Sequence, residues 1–286
     1  MSTLDLWYSE FHTEDVKLSI KIKNHLHHEI TPFQQIDFFS SDTFGVYFTL
    51  DGLMMATEKD EFAYHEMIVH PAFAVNPSIK NILIIGGGDG GTAREVSLYH
   101  TVKSIDLVEI DRRVVELCMQ YLPQTSSCIQ QDSRIHLHIK DGLEFVKSAK
   151  KGAYDLIIVD STDPVGPGEG LFSLEFYENC SRALTDYGIL INQHESPYYP
   201  EYARHMQCAH DKIKQTFPIA TVYQFHMPTY PSGHWLFGFA SKKLHPIDNF
   251  KEMKWQTFGL KTRYYNTALH TASFALPTYV KELLND

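Results

Sequence analysis

The chain of 286 residues exceeds what one core usually holds, about 50 to 250 residues, so one main domain with an appendage is expected. Apolar residues at 43% and charged residues at 21% suit a packed globular core and exclude a disordered or collagen-like polymer. Lys and Arg number 25 against 35 Asp and Glu, a net charge of −10, which speaks against nucleic acid and for a cationic small molecule as partner.

The longest apolar runs, such as Ile82 to Ile85 and Leu156 to Val159, fall far short of the roughly 20 residues of a membrane span. The opening MSTLDLWYSEFHTED has no basic stretch followed by an apolar one, so the cytoplasm is the expected location. Cys118, Cys128, Cys180 and Cys208 form no CxxC pair and read as reduced, idle thiols.

Residues 1 to about 70 read as strands, with β-branched and aromatic residues recurring in Val16 to Ile22, Gln35 to Ser40 and Phe44 to Leu50, and a hairpin turn at Asp51-Gly52. From Asn81 the rhythm changes to short apolar runs alternating with helical segments, the pattern of βαβ units. The expected order is strand Ile82 to Ile85, loop Gly86 to Gly91, helix Thr92 to Tyr99, strand Ile105 to Ile110, a helix from Asp111, then strands His136 to Ile139 and Leu156 to Asp160. Helix Leu174 to Leu184, strand Ile189 to Asn192, helix Glu201 to Phe217 and strands Ala220 to Phe225 and Trp235 to Ala240 follow. The last two, joined by the Pro/Gly loop Met227 to Gly233, suit an antiparallel hairpin closing a parallel sheet. The expected fold is therefore α/β, a Rossmann-like sheet of the methyltransferase type with a small N-terminal β domain. The boundary is set at residues 72/73, giving domains 1–72 and 73–286.

Gly86-Gly87-Gly88-Asp89-Gly90-Gly91, after a strand and before a helix, matches GxGxxG, and Glu109 ends the next strand where a ribose would be held. Asp89 decides between ligands: a carboxylate inside this turn repels a pyrophosphate and attracts a sulfonium or ammonium, so a cationic nucleoside is expected. Asp141, before Gly142, reads both as a helix N-cap and as a neighbour of an adenine edge. Asp160-Ser161-Thr162-Asp163-Pro164-Val165-Gly166-Pro167 places two carboxylates in a stiffened loop at a strand end. Without nearby His or further oxygen ligands the pair is poor evidence for a metal.

Together with Leu6-Trp7-Tyr8, Phe33-Gln34-Gln35-Ile36, Leu50-Asp51-Gly52, Thr57 to Phe62, Tyr64-His65-Glu66-Met67, Val108 to Asp111 and Pro228 to Gly233, these motifs make the whole chain resemble the polyamine aminopropyltransferase family, its spermidine synthases in particular. The resemblance implies transfer of the aminopropyl group of decarboxylated S-adenosylmethionine to putrescine, giving spermidine and 5′-methylthioadenosine. It implies no metal or redox cofactor, the nucleoside being a co-substrate, and a homodimer or homotetramer built by the N-terminal strands, which also complete the substrate site.

By the same resemblance Asp160 accepts the proton of the attacking amine, and Asp163 beside it, with Ser161 and Thr162 between, holds the diamine. Asp89 holds the aminopropyl ammonium, while Tyr64, His65 and Tyr230 line the polyamine channel. Glu109 takes the ribose hydroxyls, Asp141 and Gly142 the adenine, Pro167 lines the adenine side, and Gln34 reaches the nucleoside from the N-terminal domain. Phe33 and Met55 depart from the family pattern, and Glu195 is a candidate for the distal amine. Cadaverine, agmatine and spermidine remain alternative acceptors, since such differences are worth only a few kcal/mol in a pocket. A methyltransferase, a non-catalytic polyamine binder and an NAD-dependent dehydrogenase are the rival readings.

Strand alternation would put His25 and His27 on one face, where two imidazoles without a third ligand read as a solvated surface. His136 and His138 read the same way.

Overall fold

The computed structural model describes residues 5–162 and 166–285. Its first part is two antiparallel sheets. Strands β1 (Leu6–Phe11) and β2 (Lys17–Ile22) form a hairpin, and β3 (Asn24–Ile30), β4 (Gln35–Ser41), β5 (Gly45–Leu50) and β6 (Leu53–Thr57) form a four-stranded meander. Asp51 and Gly52 both have positive φ, 51° and 81°, as a two-residue primed turn demands.

The strands end sooner than the sequence suggested. Helix α1 (Glu61–Val75) occupies the stretch expected to be extended, and the 72/73 position falls inside it. Nearly all of its side chains are buried. A helix buried all round lacks the 3.6-residue stripe by which an amphipathic one is seen.

The second part is a seven-stranded sheet of β7 (Asn81–Gly86), β8 (Ser104–Glu109), β9 (Ile135–Ile139), β10 (Tyr154–Asp160), β11 (Leu184–Gln193), β12 (Ile219–His226) and β13 (His234–Ser241). Their order is β12-β13-β11-β10-β7-β8-β9, and only β13 runs antiparallel to its neighbours. Between them lie α2 (Gly91–Ser97), α3 (Arg112–Tyr121), the short α4 (Pro123–Ser126) and α5 (Cys128–Gln131), α6 (Gly142–Ser148), α7 (Leu174–Ala183) and α8 (Pro200–Thr216). Three further helices, α9 (Glu252–Gln256), α10 (Thr267–Ser273) and α11 (Thr278–Leu284), were not anticipated. No helix among the described residues is long and apolar enough to cross a membrane.

Period-two alternation distributes the core. Ile82, Ile84, Leu156 and Ile158 pack with α1 on one face, and Leu83, Ile85, Ile157 and Val159 with α6, α7 and α8 on the other. Ile36, Phe38, Phe48 and Leu50 of the N-terminal sheet bury against Val114, Leu117 and Cys118 of α3, which fixes that sheet over the carboxyl ends of β7, β8 and β10. Chain order reverses between β10 and β7, and open α/β sheets bind ligands at such a switch point.

One register differs from simple alternation. His25 faces Phe39 and His27 faces Phe38 across β3–β4, so Leu26 is the extra residue of a bulge. His25 and His28, not His25 and His27, therefore share a face.

Candidate functional site

A cleft opens where β7, β8 and β10 end. Gln34, Phe48, Leu50, Met55 and Ala56 close it from the N-terminal sheet, and Tyr64, His65, Met227 and Tyr230 line its flank. Three glycines bring the β7 loop against its neighbours. A Cβ on Gly86 would collide with the Asp160 carbonyl, one on Gly88 would lie 2.9 Å from Glu109 Oε2, and one on Gly91 would enter the His65 ring. The Gly87 N–H donates to the same Asp160 carbonyl at 2.8 Å. Loop, β8 carboxylate and β10 carboxylate thereby share one small volume.

Asp160 has both oxygens fixed: Oδ1 accepts from the Tyr64 hydroxyl at 2.8 Å and Oδ2 from the Thr92 hydroxyl at 2.6 Å. Burial, and then the charge of Asp89, push its carboxyl above the usual range. That makes it a stronger proton acceptor than an exposed aspartate.

Asp89 accepts from the Gly91 N–H at 2.6 Å and lies 3.3 Å from His65 Nε2. The other ring nitrogen, Nδ1, is 2.6 Å from Glu61 Oε2, and Arg94 grips the Glu61 carboxylate with two N–H groups at 3.0 and 2.9 Å. Burial alone would lower His65, but the carboxylates of Asp89 and Glu61 outweigh it and raise the imidazole to about 10. Burial likewise opposes the ionised forms of Asp89 and Glu61, yet His65 holds Asp89 low, and His65 with Arg94 brings Glu61 to about 2. The imidazole is thus an imidazolium at neutral pH.

Glu109 is 8% exposed, and burial raises its carboxyl to about 7 against the opposing N–H of Asp111, which donates at 2.9 Å. Asp111 also caps α3 through the Arg113 N–H and accepts from Thr31 and Gln34 at 2.7 and 3.2 Å. It therefore ties the N-terminal domain's Gln34 to the end of β8, a role sequence reasoning missed. Asp141 is the N-cap of α6, accepting from the Leu143 N–H at 2.8 Å, and it lines the cleft with Gly142.

The cleft brings together Gln34, Tyr64, His65, Asp89, Glu109, Asp141, Gly142, Asp160, Ser161, Thr162 and Tyr230. The Tyr230 hydroxyl turns to the Met55 carbonyl at 2.5 Å. Asp163 lies outside the described residues, and of Pro167 only the backbone, in the 3-10 turn Gly166–Phe172, is described.

A second chamber shares Met55, Tyr64, Ser161, Thr162 and Tyr230 with the cleft and ends at Glu10, Gln193 and Trp235. Glu10 is buried and accepts from the Tyr8 hydroxyl and the Met54 N–H, both at 2.7 Å. It places a carboxyl group at the end of the chamber; its only mark in the sequence is its place in a strand after Leu6-Trp7-Tyr8. Glu195, with φ of 73°, lines neither space; Gln193 does.

Residues 61–252 match the model of the spermine/spermidine synthase domain, and residues 6–58 match that of the spermidine synthase tetramerisation domain. The chain belongs to the spermidine synthase family of polyamine aminopropyltransferases. It is 65% identical to the polyamine aminopropyltransferase of Clostridium acetobutylicum, over 97% of each chain, and 61% identical to that of Alkaliphilus oremlandii, over 98% of each. A crystal structure of spermidine synthase in complex with the transition state analogue AdoDATO superposes with a TM-score of 0.94 at 43% identity, covering 98% of this chain and 95% of that one. The spermidine synthase of Thermotoga maritima superposes with a TM-score of 0.91 at 42% identity, covering 98% and 94%. The two family models meet between residues 58 and 61, where β6 gives way to α1. The chain is accordingly a transferase of polyamine biosynthesis that carries its family's tetramerisation domain.

Proposed function

We propose that the chain is a spermidine synthase, moving the aminopropyl group of decarboxylated S-adenosylmethionine to putrescine and releasing 5′-methylthioadenosine. The observation that carries this reading is Asp160, a half-buried carboxylate held by Tyr64 and Thr92 between the Glu109 end of the cleft and the Glu10 chamber. Glu109 takes the ribose hydroxyls, Asp141, Gly142 and Pro167 the adenine, and Gln34 closes over the nucleoside. Asp89 meets the aminopropyl ammonium. Asp160, Ser161, Thr162, Tyr64, His65 and Tyr230 line the amine's path, Glu10 meets its far ammonium, and Asp163 keeps the diamine-holding role that the family resemblance implies.

An alkyl ammonium of pKa ~10 cannot attack at neutral pH. Asp160 takes one proton from the near ammonium of putrescine; the freed nitrogen lone pair forms the new C–N bond as the C–S bond breaks, and that electron pair neutralises the sulfonium. The methylthio group leaves as a neutral thioether and the product nitrogen is a secondary ammonium. Atoms and charge balance without a metal or redox group, so the work of the protein is to orient the amine, strip its water and accept its proton. The exposed Leu6, Trp7 and Phe11 on β1 (55%, 55% and 63% exposed) support assembly of the chain into a homodimer or homotetramer through its N-terminal strands, and the cytoplasm suits the substrates.

The test is methylthioadenosine release from decarboxylated S-adenosylmethionine with putrescine, cadaverine, agmatine or spermidine, the polyamine product being identified by mass. Turnover led by putrescine and lost by about 10²–10⁴-fold in Asp160→Asn is expected; turnover led by another amine refutes the acceptor, and an active Asp160→Asn refutes the base.

A further inference from the structure

We propose that His25, His28 and Asp37 form a binding site for one zinc-class divalent transition metal on strands β3 and β4 of the N-terminal sheet. Two imidazoles alone make a poor site; the fold supplies the third ligand. The β3 bulge at Leu26 turns His25 and His28 to the same face, and the β3–β4 register sets Asp37 directly opposite His28. His25 Nε2 and His28 Nδ1 lie 2.9 and 2.8 Å from the same oxygen, Asp37 Oδ1, and all three ligand atoms fall within 4.8 Å of one another. Neighbouring ligand atoms around tetrahedral zinc sit about 3.3 Å apart, from bonds of about 2.0 Å, so each imidazole needs to move only a few tenths of an ångström from Asp37 Oδ1 to seat the ion.

The ligands are also oriented by their surroundings. Gln35 Nε2 donates to Asp37 Oδ2 at 2.6 Å, leaving Oδ1 to face the imidazoles, and Phe39 stacks on the His25 ring with centroids 4.7 Å apart. Such outer partners typify metal centres. Asp37 is buried while both imidazoles are about half exposed, so the ion has a path from solvent and water completes its coordination. Two nitrogens and one carboxylate oxygen select zinc, copper or nickel over calcium and magnesium, which take oxygen ligands. His27, on the other face, is engaged by Glu29 at 3.0 Å and takes no part. Among the described residues no other group of three or more His, Cys, Asp and Glu side chains converges in this way. A bound ion would clip the edge strand β3 to β4 and stabilise the folded state by mass action.

The experiment titrates zinc chloride into metal-stripped full-length protein by calorimetry, with cobalt(II) absorption as a second readout. One equivalent per chain is expected, with release of protons and the intense visible bands of four-coordinate cobalt. His28→Ala and Asp37→Asn should weaken zinc binding by at least about 100-fold, whereas His27→Ala should leave it unchanged. Zinc should raise the melting temperature of the wild type and not of His28→Ala, the two melting alike in chelator. Absence of saturable binding to the wild type, or an affinity that survives loss of His25 and His28 together, overturns the proposal.

Discussion

In its proposed ribose-binding role, the Glu109 carboxyl makes nucleoside affinity depend on pH. Its rise from 4.5 to about 7 corresponds to about 3 kcal/mol against the ionised form in the folded protein. In that role the carboxylate accepts hydrogen bonds from the ribose hydroxyls, so a nucleoside must first shift this proton equilibrium. The ionised fraction climbs from about one-tenth at pH 6 to about nine-tenths at pH 8, and the Kd for 5′-methylthioadenosine should tighten about tenfold between them. The probe is neutral and lacks the aminopropyl ammonium, which keeps Asp89 and Asp160 out of the measurement. Calorimetry in two buffers should show proton release below pH 7. Glu109→Gln should bind more weakly at pH 8 and show no such slope. The apo protein responds in the opposite sense: the folded-state pKa is raised, so the contribution of Glu109 to stability is whole below pH 4.5 and falls as pH rises through 7. A wild-type Kd that stays flat from pH 6 to 8, or a slope retained in Glu109→Gln, refutes the reasoning.

Three further outcomes follow from the same geometry. Thr92→Val removes the hydroxyl that donates to Asp160 at 2.6 Å; the carboxyl should rise further, the acid limb of kcat/KM should move to higher pH, and kcat/KM should fall about 10–100-fold. An unmoved acid limb would contradict the role of Asp160. Gly91→Ala places a methyl inside the His65 ring, so denaturant unfolding should show a loss of about 1–3 kcal/mol despite the better helix former, with kcat/KM reduced alongside; a variant equal to the wild type in both would show that His65 yields freely. Glu10→Gln should raise the KM for the amine about 10–100-fold while leaving the Kd for 5′-methylthioadenosine unchanged, and a loss in both would mean that Glu10 supports the whole cleft.

The seven-stranded sheet was readable because its central strands, covered on both faces, appear as apolar runs, and because the carboxylates at their ends follow from where such sheets bind ligands. What stayed hidden depends on contacts between distant parts of the chain. Asp111 meets Gln34, Tyr64 meets Asp160, and Arg94 meets Glu61 only after the N-terminal sheet and α1 pack over the β7 loop. The bulge at Leu26 has no signature of its own, and a single extra residue exchanged His28 for His27 beside His25.

Asp89 shows how such a contact changes a conclusion drawn from residue type. By residue type alone Asp89 carries a free negative charge that attracts a cation, but the fold provides a resident one: His65, kept protonated by Asp89 and Glu61 together. Asp89 alone is therefore nearly neutralised. The attraction belongs to the pair formed with Asp160, two carboxylates against one imidazolium, which leaves one negative charge when both are ionised. One ammonium balances that charge, and it also favours the ionised, proton-accepting form of Asp160. In the proposed reaction, selection of a cationic donor and readiness of Asp160 as the base are then consequences of the same charge balance, which no single residue in the glycine loop carries.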